Sequence, residues 1–362
     1  MDQHEWIQSE LFVAVTPLYH FVSDSDDLRI GENFRILRYK GNLSLPLPMR
    51  DVLLTHFQLC APDFLLWQRA PAPAGAATIG EQSVSNAPEG DPLTEAAIAF
   101  QVLFFTPAVN LFRLLRLFKE GRVFAGDTFV LSTQHTSGEV GWKTVSGQRS
   151  SRMTIDYTNL SLQEYGYRFS SKDVAFFKVF SEQLMPVLVR FSNPDNLVGS
   201  ESTQLEMALR LFSRDEGEPE VDVLNILTAF EALLTNDGNT ELAYRLSLRA
   251  ANLLGNDAEE RKKIFQDMKD FYGLRSRLVH GSGFKLKPKE QARLDLVEIL
   301  LLRDLLRRAI LSVMALLLAG NSFSRLEVLL DDLIFDEGKR AEVQKAASEL
   351  LHMEVTTHHV IQ

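Results

Sequence analysis

From residue 170 onward the chain is a succession of eight apolar patterns at helical spacing with no strand signal between them. They are "SSKDVAFFKVFSEQLMPVLVRF", "TQLEMALRLFSR", "VDVLNILTAFEALLT", "ELAYRLSLRAANLLG", "DAEERKKIFQDMKDFYGLRSRLVHG", "PKEQARLDLVEILLLRDLLRRAILSVMALLLAG", "SRLEVLLDDLIF" and "KRAEVQKAASELLHM". A segment made only of amphipathic helices buries its stripes helix against helix, so residues 170–362 are expected to form an all-α bundle. Capping chemistry agrees with the boundaries: Ser170 or Ser171 ahead of Asp173, Asp257 ahead of Glu259 and Glu260, and Gly255, Gly281 and Gly320 where patterns stop.

Residues 1 to about 165 read differently. Short β-like runs ("LFVAVTPLYHFV", "FRILRY", "VFAGDTFVLS", "RMTIDY") alternate with one helical pattern, "PAVNLFRLLRLFKEG", in which Leu111, Leu114, Leu115 and Phe118 share a face and Gly121 follows as a terminator. The expectation is an α+β N-terminal domain before the helical one. A stretch rich in Pro, Ala, Gly and Ser, about residues 69–94, has no periodicity and is expected to be a long flexible loop. No repeat of fixed period is visible.

Charge narrows the function classes. The net charge of −10 excludes a surface built to be coated in nucleic acid, which normally leaves a basic footprint. Charge is uneven, however: residues 259–310 hold thirteen Arg or Lys against eight Asp or Glu, an excess of +5 that leaves −15 for the rest. Any chemistry on a polyphosphate has to use that stretch, although long helices also carry solvated cations for no other reason. The single cysteine, Cys60, forms no intrachain disulfide, and the start "MDQHEW" has no signal-peptide character, so a cytoplasmic protein is expected. The apolar region 294–319 has Arg303, Asp304, Arg307 and Arg308 in its middle and is expected to be a buried helix, not a membrane span.

Most catalytic signatures are absent. There is no Cys pair, no H-E-x-x-H, no acidic calcium loop, no G-x-S-x-G and no phosphate-cradling glycine loop, so neither a metal nor a cofactor is expected. The pair His358 and His359 sits at the C-terminal end.

What remains is "LRSRLVHG", residues 274–281. RNA carries its own nucleophile, the 2′-hydroxyl, so its cleavage needs a base, an acid for the leaving 5′-oxygen and a cation on the developing phosphorane. Histidine titrates near neutrality, and arginine presents a planar fork matched to phosphate oxygens. Helical geometry places Ser276 and Arg277 on the face of His280 and turns Arg275 away, so Arg275 and His280 converge only where the helix frays or ends near Val279. On spacing alone Arg277 competes with Arg275 for the phosphate, and the bland alternative is a helix end whose cations favour the macrodipole. The spacing recurs in "RDVLLTH", Arg50 to His56, among strand-like residues, where it is read as a decoy.

The neighbourhood adds a resemblance. "VDVLNILTAFEALLT", "TELAYRLSLRAANLLG", "DFYGLRSRLVHG" and the helix carrying "RDLLRRAI", over roughly residues 203–320, resemble the HEPN superfamily, in particular its ApeA-like branch. The motif of that superfamily, Arg, four to six residues, then His, falls on Arg275 and His280, with the polar Ser276 after the Arg and Gly281 after the His; "FEALL" matches Phe230 to Leu234. "LFRLLRLFKEG" is similar to the N-terminal region that accompanies the branch.

The resemblance implies a metal-independent endoribonuclease leaving a 2′,3′-cyclic phosphate, and a homodimer in which Arg275 and His280 of two protomers meet. It further implies abortive-infection defence by cleavage of host RNA such as tRNA, with the N-terminal domain sensing a phage protein or small-molecule trigger. The other reading it allows is a non-catalytic dimerisation or adaptor module. Among supporting residues, Glu231 orients Arg275 or His280, or pairs with Arg245 or Arg249; Tyr272 stacks on a base or belongs to the core.

Overall fold

A computed structural model describes residues 11–30, 33–39, 64–71, 106–121, 123–125, 128–136, 139–148, 166–191, 202–214, 218–235, 241–280 and 286–351. The chain divides into two compact units, residues 1–178 and 179–362.

The first unit is an antiparallel sheet with one packed helix. Its strands are β1 (Leu11–Tyr19), β3 (Asp27–Ile30), β4 (Phe34–Arg38), β5 (Phe64–Pro71), β6 (Phe124–Ala125), β7 (Thr128–Thr136) and β8 (Glu139–Gln148), in the order β3-β4-β5-β1-β7-β8 with β6 also on β1. A separate two-stranded parallel sheet joins β2 (Phe21–Val22) to β9 (Tyr167–Arg168). Helix α1 (Thr106–Phe118) buries Leu111, Leu114, Leu115 and Phe118, the face that the spacing selects. Phe118 meets Phe177 and Phe169 with ring centroids 5.3 and 5.9 Å apart, and Phe21 meets Phe64 at 5.1 Å, so one aromatic cluster ties β2, β5, β9, α1 and the start of α2 (Asp173–Phe191) together. Edge-to-face packing of that kind adds to simple burial.

Two strands depart from the expectations. Residues 69–71, assigned to the flexible loop, extend β5: Arg69, Ala70 and Pro71 pair with Val13, Phe12 and Leu11. The Pro- and Ala-rich composition suggested a loop there, but Pro71 is tolerated because it ends the strand and gives up no interior ladder bond. The strand β8, "EVGWKTVSGQ", carries two glycines and was not among the expected β runs. The remainder of the expected loop, "RMTIDY", Cys60, Arg50, His56, Gly281 and the His358–His359 pair lie outside the described residues.

The second unit is helical: after the end of α2 come α3 (Ser202–Ser213), α4 (Pro219–Leu234), α5 (Leu242–Leu254), α6 (Ala258–Val279), α7 (Pro288–Ala292), α8 (Leu296–Leu318), α9 (Phe323–Phe335) and α10 (Glu337–Leu351). The single helix expected over 288–320 is two, because Arg293 to Asp295 form turns and the Asp295 side chain accepts from the Val297 amide to start α8. The core runs along α4 and α8, where Val223, Ile226, Phe230, Leu302, Leu306 and Ile310 are sealed from solvent. Among the described residues no helix is long and apolar enough to cross a membrane.

Arginines close the ends of these helices. The Arg249 guanidinium donates to the Leu234 carbonyl at the end of α4, Arg303 to the Phe212 and Arg214 carbonyls at the end of α3, Arg308 to the Leu254 carbonyl of α5, and Arg340 to the Leu333 carbonyl of α9, all within 2.7–3.1 Å. The last carbonyls of a helix have no partner of their own and carry the negative end of the macrodipole, so a cation there satisfies both. This accounts for Arg303 and Arg308 inside the apolar stretch 294–319, while Arg307 pairs with Asp304 of its own helix at 2.7 Å.

Candidate functional site

Helix α6 positions the candidate residues. Its N-terminus is fixed by Asp257, whose side chain accepts from the Glu260 amide at 2.8 Å, and Ile264, Met268, Phe271 and Leu274 bury one face. Register from these anchors sets the direction of every side chain in the last two turns.

Arg275 and Tyr272 turn toward α4 and meet there on one carboxylate. The Tyr272 hydroxyl donates to Glu231 Oε1 at 2.7 Å, and Arg275 donates to Glu231 Oε2 at 3.0 Å. The guanidinium carbon of Arg275 also lies 5.3 Å from the centre of the Tyr272 ring, a cation–π distance. The buried Nε of Arg275 has no hydrogen-bond partner. Burial, then the hydrogen bond to Glu231 and its charge, push the Tyr272 hydroxyl up to about 12, although the nearby Arg275 pulls the other way.

Of the partners considered for Glu231, the structure selects Arg275. Arg249 turns instead to Asp331 and Glu327, each at 2.7 Å, and Arg245 to Glu327 at 3.6 Å. The Tyr272 hydroxyl is engaged by Glu231 while its neighbour Phe271 takes the core position.

His280 is the C-cap of α6 and is exposed, and among the described residues its ring makes no hydrogen bond. The helix does end at Val279, yet the His280 amide still donates to the Ser276 carbonyl at 3.1 Å, so the backbone holds its helical path to that residue. Five residues at 3.6 per turn leave the His280 side chain about 140° around the axis from Arg275. Ending the helix therefore does not bring the two side chains onto one face of one chain. Ser276 is exposed on the His280 side.

Arg277 is tied by an ion pair to Glu290 of α7, a carboxylate that also accepts from the Lys287 amide. Sequence reasoning passed over Glu290; its signal was Pro288 followed by a Glu at the third position of a short helix. The same side of α6 is laced to α7 and α8 through Arg293, which reaches Asp267 at 2.7 Å, Asp270 at 3.3 Å and Glu298, and through Lys289 to Asp270 at 2.7 Å. Much of the local basic excess is thus consumed in structural ion pairs. No cluster of three or more His, Cys, Asp or Glu suited to a metal ion occurs among the described residues.

Compared with family models, curated proteins and solved structures, the chain matches none.

Proposed function

We propose that the protein is an endoribonuclease of the HEPN type, in which Arg275 stabilises the phosphorane and His280 moves protons. The observation that carries this reading is the end of α6: an exposed histidine with no partner among the described residues stands five residues after an arginine whose fork is aimed by Glu231 and Tyr272. Arg275 and His280 face different ways on one helix, so the site forms where the Arg275 and His280 of two copies of the chain meet, an arrangement that supplies two histidines for the base and acid roles. Ser276 lines the His280 side, and Arg277 acts through its Glu290 pair. The products are a 2′,3′-cyclic phosphate and a 5′-hydroxyl. Host RNA such as tRNA is the substrate class, in antiphage defence triggered through the N-terminal unit.

Incubation with tRNA in EDTA tests the chemistry. The wild-type chain is expected to cleave and the His280→Ala and Arg275→Ala variants to lose at least a hundredfold in rate. Equal cleavage by wild type and His280→Ala would remove His280 from the mechanism.

One observation favours a second reading. The pairing of Arg275 with Glu231 and its distance around the helix from His280 also suit a non-catalytic module that dimerises through this region. In that case no RNA is cut under any condition, while the dimer persists in His280→Ala by sedimentation analysis.

A further inference from the structure

Among the described residues helix α6 has one face without a partner, and that face ends at His280. Lys262, Gln266, Lys269, Gly273, Ser276 and His280 follow one another at alternating steps of four and three residues, and all six are exposed. At about 100° per residue they fall within a sector of about 80°, a stripe about 27 Å long. The sector holds no carboxylate. Of the other cations on α6, Lys263 pairs with Asp267, Arg275 with Glu231 and Arg277 with Glu290, while Arg261 lies outside the sector. Lys262 and Lys269, by contrast, make no hydrogen bond or ion pair among the described residues.

Gly273 is an independent observation on the same stripe. A glycine inside a helix is unfavourable relative to alanine, because it frees the unfolded backbone. The usual compensation is close packing, yet a Cβ built at Gly273 would meet nothing within 4 Å. Among the described residues nothing packs closely enough on Gly273 to require a glycine.

We propose that this face of α6 is a track for the phosphate backbone of single-stranded RNA, leading the chain to His280, with Lys262 and Lys269 as phosphate contacts and Gly273 as the point of closest backbone approach. The occupant follows from charge complementarity: two unpaired ammonium groups and no carboxylate suit a polyanion, and they repel a second copy of the same face. A track confined to one stripe also reconciles RNA binding with a net charge of −10. The proposal rests on the ribonuclease reading for its substrate, and the test separates the two.

Binding is measured with a 2′-O-methyl oligoribonucleotide, which lacks the attacking hydroxyl, alongside tRNA cleavage in EDTA, all with the full chain. Lys262→Gln with Lys269→Gln is expected to weaken oligonucleotide binding at least tenfold at low salt. The slope of log affinity against log salt should become shallower by about 1.4, the share of two phosphate contacts on a single strand. Lys263→Gln, off the stripe, serves as the control and should leave both unchanged. Gly273→Ala is expected to raise the melting midpoint by about 2–4 °C while weakening binding, a combination that misfolding does not produce. Unchanged binding in the double lysine variant overturns the track, as does an altered oligomeric state with RNA binding intact. If tRNA stays whole but lysine-dependent binding persists, the track stands and the nuclease falls; if cleavage by the lysine variant matches wild type, the nuclease stands and the track falls.

Discussion

Glu231 divides its two carboxylate oxygens between a phenol and a guanidinium, and the end of α6 depends on that division. Glu231→Gln keeps the shape and removes the charge; with all three side chains only partly exposed, the expected loss is about 1–2 kcal/mol in urea unfolding. Tyr272→Phe should cost about 1 kcal/mol and also change the response to alkali. Burial foremost, with Glu231 in support, lifts the Tyr272 hydroxyl to about 12, so as pH rises past 10 the unfolded chain releases this proton before the folded one. Stability then falls between pH 10 and 12, and Tyr272→Phe should flatten that decline. Glu231, Tyr272, Arg275 and His280 were each legible as candidates in the sequence, because their residue types suit the chemistry. Which of them touch was not: Glu231 had three arginines within plausible reach, and only the register of α6 against α4 decides among them.

Helices were the most legible elements, since their caps are local: the Asp257 side chain and the stop at Gly255 need no knowledge of the rest of the fold. Gly255 has a further reason to be glycine, because a Cβ there would lie 2.7 Å from the Arg261 amide nitrogen and 2.8 Å from its Cα. Those atoms are backbone and cannot step aside, so Gly255→Ala is expected to lower stability by about 1–3 kcal/mol in thermal or urea unfolding, the reverse of the substitution at Gly273. Less legible were the extension of β5 into a Pro-rich stretch and the break between α7 and α8, each decided by pairing partners that composition does not report. Between elements, the fully buried Arg249 ties α5 to α9 through Asp331 and Glu327. Arg249→Ala leaves Asp331 and the Leu234 carbonyl without this donor and Glu327 with the more distant Arg245, and is expected to cost about 3–5 kcal/mol in urea unfolding. Its hydrogen bond and charge hold Asp331 below the ordinary carboxylate range. That contribution is present at neutral pH and is lost as pH falls below about 4, so the acid limb of the stability profile should shrink in Asp331→Asn.

At the scale of the whole molecule, an α+β region was distinguishable from a helical one in the sequence because periods of two and of 3.6 residues differ plainly. Strand order was beyond it. Alternation fixes which face of a strand is buried and says nothing about its neighbour, and β1 sits between β5 and β7, about fifty and more than a hundred residues away along the chain. The local charge excess was legible as well, but not how much of it the ion pairs between α6, α7 and α8 take up.

The buried position of Arg249 also sets an order of events during synthesis. Its carboxylate partners, Glu327 and Asp331, follow 78 and 82 residues later in the chain. A chain released from the ribosome only through α8 therefore lacks both carboxylates and leaves the Arg249 guanidinium in water, and that side of α5 is covered only when α9 emerges. Until then its apolar seams stay open to chaperones and proteases, so the last helices act as the latch that ends the vulnerable interval.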